Sequence, residues 1–183
     1  PPRSTLFPYT TLFRSKRDFK NKECPAYNEY EDGVDFILNG EAIATQKFDG
    51  TACLIKDGIY YKRYKAKKER HDFLHWSFDK TQKTGHGCIP VTDTPDNIYH
   101  LEAWQDGLQD GTYELCGEKI QGNPEGIKGH VLLKHGLIVF DNVPIDFEGL
   151  KSWLIDKDIE GIVFHGKNGE MIKIKKSDFG LKR

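Results

Sequence analysis

No apolar run in the chain is long enough to cross a bilayer as a helix, and no cleavable leader pattern is visible. Nothing therefore marks a membrane or secreted protein, and the expected setting is cytoplasmic, with no membrane partner. Cysteine is scarce: Cys24, Cys53, Cys88 and Cys116 form no C-x-x-C pair and show no metal-ligand spacing. That excludes a disulfide-stapled scaffold or a zinc site and predicts reduced thiols. Net charge is also nearly absent, 27 basic residues against 28 acidic ones giving −1. A protein that coats polyanions through bulk charge is excluded, so any basic surface has to be local. What remains is 183 residues, 37% apolar and 30% charged, enough for one domain with a real core, alone or with a small appendage.

Residues 1–15 stand apart. Thr5 to Ser15 reads TLFPYTTLFRS, which looks like the conceptual translation of a short-read sequencing adapter and lacks a clean strand or helix period. The expectation is that 1–15 is an assembly artefact outside the fold, that 16–183 is the domain, and that native N-terminal sequence is missing.

The rest of the chain is organised around Lys47-Phe48-Asp49-Gly50, followed by the strand-like Ala52-Cys53-Leu54-Ile55. Partial desolvation or neighbouring cations lower a lysine's pKa and free its amine to act as a nucleophile. Asp49-Gly50 reads as a sharp turn, since glycine accepts positive φ. A solvated loop lysine is the plain alternative. Asp57-Gly58 between Thr51–Ile55 and Ile59–Tyr64 is a strong hairpin signal. Its two-residue turn sets Lys56 against Ile59 and Ala52 against Arg63, which places a permanent cation beside the exit of the lysine turn, suited to phosphate or ribose. Lys62, Arg63, Lys65, Lys67, Lys68 and Arg70, interleaved with tyrosines, form either a solvated face or a local nucleic-acid track. Phe73 to Phe78 is aromatic, Thr81 to Pro95 reads as a loop, and Pro95-Asp96-Asn97 reads as the N-cap of a helix through about Gln105.

Downstream, Glu114 is embedded in the strand Gly111 to Gly117, where a carboxylate is costly unless paired. Leu132 to Phe140 reads as one apolar strand with a break at Gly136, and Ile145 to Ile155 as an amphipathic helix. Glu160 to His165 and Glu170 to Lys175 read as a hairpin on a four-residue loop. That register puts Glu160, Lys173 and Lys175 on one face and Val163, Ile172 and Ile174 on the other. One carboxylate and two ammoniums suit a phosphate and a divalent metal; a solvated cross-strand ion pair is the alternative.

In this order, Lys47-Phe48-Asp49-Gly50, Arg63, Glu114-Leu115-Cys116-Gly117, Glu160-Gly161-Ile162-Val163-Phe164 and Lys173-Ile174-Lys175 resemble the motif series of covalent nucleotidyltransferases. The chain is most similar to compact ATP-dependent 5′-to-3′ RNA ligases of vertebrates and their phage and bacterial relatives. Ile120-Gln121-Gly122-Asn123-Pro124 resembles a further local signature. The resemblance implies an α+β nucleotidyltransferase domain, ATP-grasp-like, with antiparallel sheets flanking a nucleotide cleft and no OB-fold domain. It implies RNA repair chemistry by adenylation. Lys47 attacks the α-phosphorus of ATP, AMP passes from the lysine to an RNA 5′-phosphate, and a 3′-hydroxyl displaces it. The same resemblance has Lys173 and Lys175 grip the α-phosphate and has Glu160 bind Mg2+, with Mn2+ as a substitute. It has Glu114 hold ribose hydroxyls or a metal-bound water, Arg63 touch ribose or the 5′-phosphate, and Phe140 stack on adenine. Gln46 replaces the acidic residue that several relatives carry, and an amide can still pair with the adenine edge. The expected partner is RNA with 5′-phosphate and 3′-hydroxyl ends, and the sequence names no protein partner. A capping-type guanylyltransferase, a DNA ligase fragment and a non-catalytic RNA-binding module on the same scaffold are the alternatives.

Overall fold

The computed structural model describes residues 7–8, 10–16, 25–79 and 83–183. The chain divides into two compact units, the first formed by residues up to Phe48 together with Gly136–Arg183, the second by Asp49–His135. The first unit contributes β1 (Phe13–Ser15), β2 (Ala26–Tyr30), the short helix α1 (Asp35–Leu38) and β3 (Ile43–Lys47). The second unit holds β4 (Thr51–Lys56), β5 (Ile59–Ala66), β6 (Leu74–Asp79), β7 (Thr84–Pro90), α2 (Ile98–Ala103), β8 (Gly111–Gly117) and β9 (His130–Lys134). The chain then returns to the first unit as β10 (Val139–Phe140), α3 (Phe147–Ile155), β11 (Gly161–His165) and β12 (Met171–Lys175). Antiparallel sheets with few helices make the class α+β, as the sequence pattern predicts. Among the described residues no helix is long and apolar enough to cross a membrane.

In the first unit a four-stranded sheet runs in the order β10-β3-β11-β12. Its strands alternate, so Ala44, Ile162, Phe164, Ile172 and Ile174 turn one face into a core with Ile37 of α1 and with Leu150 and Leu154 of α3. Both ends of α3 are tied. The Asp146 carboxylate accepts from the Gly149 N–H at 2.8 Å, and the buried Lys176 ammonium donates to the carbonyls of Ile155 (3.1 Å) and Lys157 (2.6 Å). A side-chain acceptor at the start and a cation at the end are what the unpaired backbone groups of a helix require.

Of residues 1–15, those described pack on the first unit. Leu12 donates its N–H to the Lys173 carbonyl (2.8 Å) and Lys173 donates to that of Thr10 (3.0 Å). This covers the edge of β12, and Leu12 and Phe13 are fully buried in the core. Three apolar side chains in Leu12, Phe13 and the nearby Phe7 pack regardless of periodicity, because burial needs area rather than pattern.

The second unit is a six-stranded antiparallel sheet ordered β6-β7-β5-β4-β8-β9. Asp57 (φ 52°) and Gly58 (φ 72°) make the expected hairpin turn, Lys56 pairs with Ile59, and the Asp110 carboxylate accepts from both turn N–H groups (2.7 and 3.2 Å). Two expectations are corrected. Thr84–Pro90 is strand β7, within the stretch read as a loop; residues 81 and 82 lie outside the described set. Gly85 and Gly87, which suggested a loop, are glycine because the rings of Trp76 and Phe73 lie where a Cβ would go. The single apolar strand expected over Leu132 to Phe140 is two, β9 and β10, one in each unit. Helix α2 follows the expected cap, with Asn97 at its N-cap position and a 3-10 turn over Pro95–Asn97, and ends at Ala103.

Candidate active site

Lys47 ends β3, and the register of the sheet decides what faces it. Gly161 of β11 pairs with Lys47 on one side and with Lys175 of β12 on the other. The next row along is Thr45, Val163 and Lys173. Gly161 sits where a Cβ would overlap the Ile174 carbonyl oxygen, so the position between the two lysines holds only hydrogen. The Lys47 ammonium donates to the Glu160 carboxylate at 2.5 Å, both side chains being about one-fifth exposed (20% and 21%). Glu160 is fixed from behind, its carbonyl accepting from the Lys176 N–H (2.9 Å). The Asp178 carboxylate accepts from the Lys175 N–H (2.8 Å) and pins the end of β12. Lys173 is held below the usual lysine range, first by burial and then by the charges of Lys47 and Lys175.

The structure thus brings together Lys47, Glu160, Lys173 and Lys175, but on a register one residue from that expected. The hairpin turn is the three residues Lys167-Asn168-Gly169, with Gly169 at φ 86° and its N–H bonded to the Gly166 carbonyl (3.2 Å). An odd loop shifts every partner by one. Val163 therefore shares the lysine face, and Ile162 and Phe164 pair with Ile174 and Ile172 on the core face. Glu160 precedes the strand and reaches Lys47 from its end.

Gln46 and Phe140 lie together on the face opposite Thr45. Gln46 pairs with Ile162, Phe140 with Ala44, and the Phe140 ring meets Trp153 edge-on at 5.2 Å. Thr45, buried in the lysine-face rows, hydrogen-bonds the His165 imidazole at 2.9 Å and the Val163 carbonyl at 3.3 Å. The sequence pattern singles out neither Thr45 nor His165.

In the second unit, Glu114 and Arg63 share one cross-strand row, with Ala52 between them, since Ala52 pairs with Glu114 on one side and the β4–β5 register sets it against Arg63 on the other. Once more a small residue leaves two charged side chains facing over a central strand. Glu114 is 8% exposed, and the cost of burying it is met by His135, whose imidazole nitrogen lies 2.8 Å from its carboxylate. His135 directly follows β9, diagonal to Glu114, its backbone N–H bonded to the Thr112 carbonyl. Sequence reasoning missed it, because a histidine 21 residues downstream in a loop carries no local signal.

Gly50 also needs correction. Its φ is not among the positive ones; glycine is required because a Cβ would overlap the Leu115 carbonyl and crowd Glu114 and Cys116. The Asp49 N–H is bonded by the Glu125 carboxylate (2.9 Å). The Gln121-Gly122-Asn123 turn is organised by Asn123, whose amide bonds the Ile127 N–H (2.9 Å) and carbonyl (3.0 Å).

Among the described residues no three His, Cys, Asp or Glu side chains gather as a metal site. Glu160, a hard-oxygen donor beside three lysines, fits magnesium held jointly by one carboxylate and phosphate oxygens. It does not fit a cage built from protein alone.

Residues 84–183 match the model of the RNA ligase 1 family. The chain is 36% identical to RNA ligase 1 of Pongo abelii over 76% of its own length and 68% of that protein. It is 37% identical to RNA ligase 1 of Mus musculus over 76% of its length and 67% of that protein. Against RNA ligase 1 of Danio rerio it is 37% identical over 41% of its length, covering 26% of the relative. Similarity of that extent, over a matched segment that includes the Glu114 strand and the Glu160–Lys175 hairpin, means that the chain belongs to the RNA ligase 1 family.

Proposed function

We propose that this protein is an ATP-dependent RNA ligase that works through a lysyl-AMP intermediate on Lys47. The observation that carries the reading is the row Lys47–Gly161–Lys175, with the Glu160 carboxylate 2.5 Å from the Lys47 amine. An ammonium cannot attack phosphorus until it loses a proton, and Glu160 is the acceptor already bonded to it. Lys47 forms a P–N bond to the α-phosphorus of ATP as the bond to pyrophosphate breaks. Lys173 and Lys175 offset the charge that collects on the α-phosphate oxygens. AMP then moves to an RNA 5′-phosphate, and a 3′-hydroxyl displaces it to seal the strand.

Magnesium, with manganese as a substitute, would be held by Glu160 together with phosphate oxygens and would supply charge neutralisation when bound. The roles of Glu114 and Arg63 toward the ribose or 5′-phosphate, and of Gln46 and Phe140 toward adenine, rest on the motif resemblance. The paired state of Glu114 supports the first of these, because a carboxylate held in one orientation is what binding hydroxyl groups needs.

The test is incubation of the folded protein with ATP labelled on the α-phosphate and divalent metal, followed by denaturing electrophoresis. Wild type carries label on the protein band, Lys47→Ala carries none, and GTP labels poorly in competition. A folded, metal-supplied wild type that takes up no label refutes the proposal.

A further inference from the structure

The cation run from Lys62 to Arg70 is not one surface. Strand alternation in β5 sends Lys62 to the face opposite Arg63, where its ammonium bonds the buried Asn97 amide oxygen at 2.5 Å. Arg70 is committed to Asp72 (2.6 and 2.9 Å) and lies over the Phe73 ring at 4.4 Å. Lys67 and Lys68 are exposed beyond the end of β5, so the cations that the strand itself sets on the Glu114 face are Arg63 and Lys65. Arg63 stands in a row with Cys88 and Leu74, and Lys65 in the adjacent row with His86 and Ser77.

His86 adds a third nitrogen centre to these two rows. Its imidazole is held below the usual histidine range, first by burial and then by the charges of Arg63 and Lys65, so both cations act on the same patch of sheet. A neutral imidazole still offers an N–H donor, and the Ser77 hydroxyl at the end of the row adds another. Arg63 and Lys65, two residues apart on one strand, are separated by about 7 Å, a spacing that suits successive phosphates of an extended single strand. A fork of guanidinium donors, a point-charge ammonium and a neutral donor in line fit repeated monoanionic diesters. In a chain with no net positive charge, this is a built local concentration rather than a general basicity.

We infer that the Arg63, Lys65 and His86 face of the six-stranded sheet is a track for the phosphodiester backbone of a single RNA strand. The inference rests on the ligase reading for the identity of the strand, but its test does not. A fluorescent single-stranded RNA oligonucleotide is titrated with the full chain, without ATP, at several salt concentrations, so RNA binding is read whether or not adenylation occurs. Lys65→Ala and the double variant Lys65→Ala/His86→Ala weaken binding several-fold, and the salt slope becomes shallower by about 0.7 for each phosphate that is no longer neutralised. Lys65→Glu weakens it further, while Lys65→Arg retains it. Lys167→Ala, which removes an exposed lysine of the first unit, leaves binding and slope as in wild type.

The triphosphate of ATP has the same chemistry as the proposed ligand, so ATP is titrated into the same variants. Unchanged ATP affinity assigns the track to RNA. An equal loss of ATP affinity overturns the inference, as does RNA binding in the double variant with the wild-type affinity and slope.

Discussion

Lys47 and Lys175 stand in one row of the four-stranded sheet with Gly161 as the only residue between them. Two ammonium-bearing side chains face over a strand that contributes no side chain of its own, and that is why the position is glycine. The Gly161→Ala variant places a methyl group against the Ile174 carbonyl. A displacement of that kind in packed strands costs about 1–3 kcal/mol. The expected result is a lower urea midpoint together with loss of the ATP-derived label. Gly169→Ala is the contrast: it meets open space at φ 86°, costs only about 1 kcal/mol through backbone strain, and keeps the label.

Glu160 separates charge from packing. Glu160→Gln keeps the shape and a hydrogen-bond acceptor for Lys47 but removes the carboxylate that takes the proton. Both partners are partly exposed, so the pair contributes about 1 kcal/mol or less to folding. Near-wild-type melting with labelling slowed at least tenfold is expected. Labelling at the wild-type rate would show that the proton leaves by another route.

The sequence and the structure agree where a turn leaves no choice. Asp57-Gly58 is two residues long, both at positive φ, so the β4–β5 register is legible and with it the opposition of Ala52 and Arg63. The Glu160–Lys175 hairpin is not legible to the residue, because Gly166 to Gly169 supports loops of different length and one residue decides which side chains share a face. The lysine motifs are legible all the same, since the alternation of Lys173 and Lys175 holds in any register. Partners far apart in the chain are out of reach: His135 for Glu114, the Lys176 ammonium for the end of α3, Thr45 for His165. The glycines of β7 mislead for a related reason, since their cause is two aromatic rings outside that strand.

The Glu114–His135 pair predicts a graded effect. His135→Ala leaves a carboxylate 8% exposed without its imidazole partner, and an unpaired buried charged group costs about 1–3 kcal/mol or more. His135→Gln restores a donor and recovers much of the stability. If the pair also orients Glu114 for the nucleotide, the apparent KM for ATP in self-labelling rises in the alanine variant and recovers in the glutamine one. Equal KM in both variants would confine His135 to a structural role.

His100 gives the fold a dependence on acid that can be assigned to one group. It is 9% exposed, with Nδ1 2.7 Å from the Tyr60 hydroxyl, and its pKa is pushed down to about 4, first by burial and then by the Lys62 charge. A histidine with a folded pKa below its unfolded value near 6.5 is protonated more readily in the unfolded chain. Its contribution is therefore complete above pH 6.5 and is lost progressively as pH falls toward about 4, by on the order of 3 kcal/mol. Carboxylates titrate over the same range, so the measurement is a difference. Urea midpoints are taken from pH 7 to pH 4.5 for wild type and for His100→Gln, which keeps an acceptor for Tyr60 but has no proton to gain. The wild-type midpoint falls more steeply than that of the variant, and parallel curves would mean that His100 is protonated in the folded state as easily as in the unfolded one.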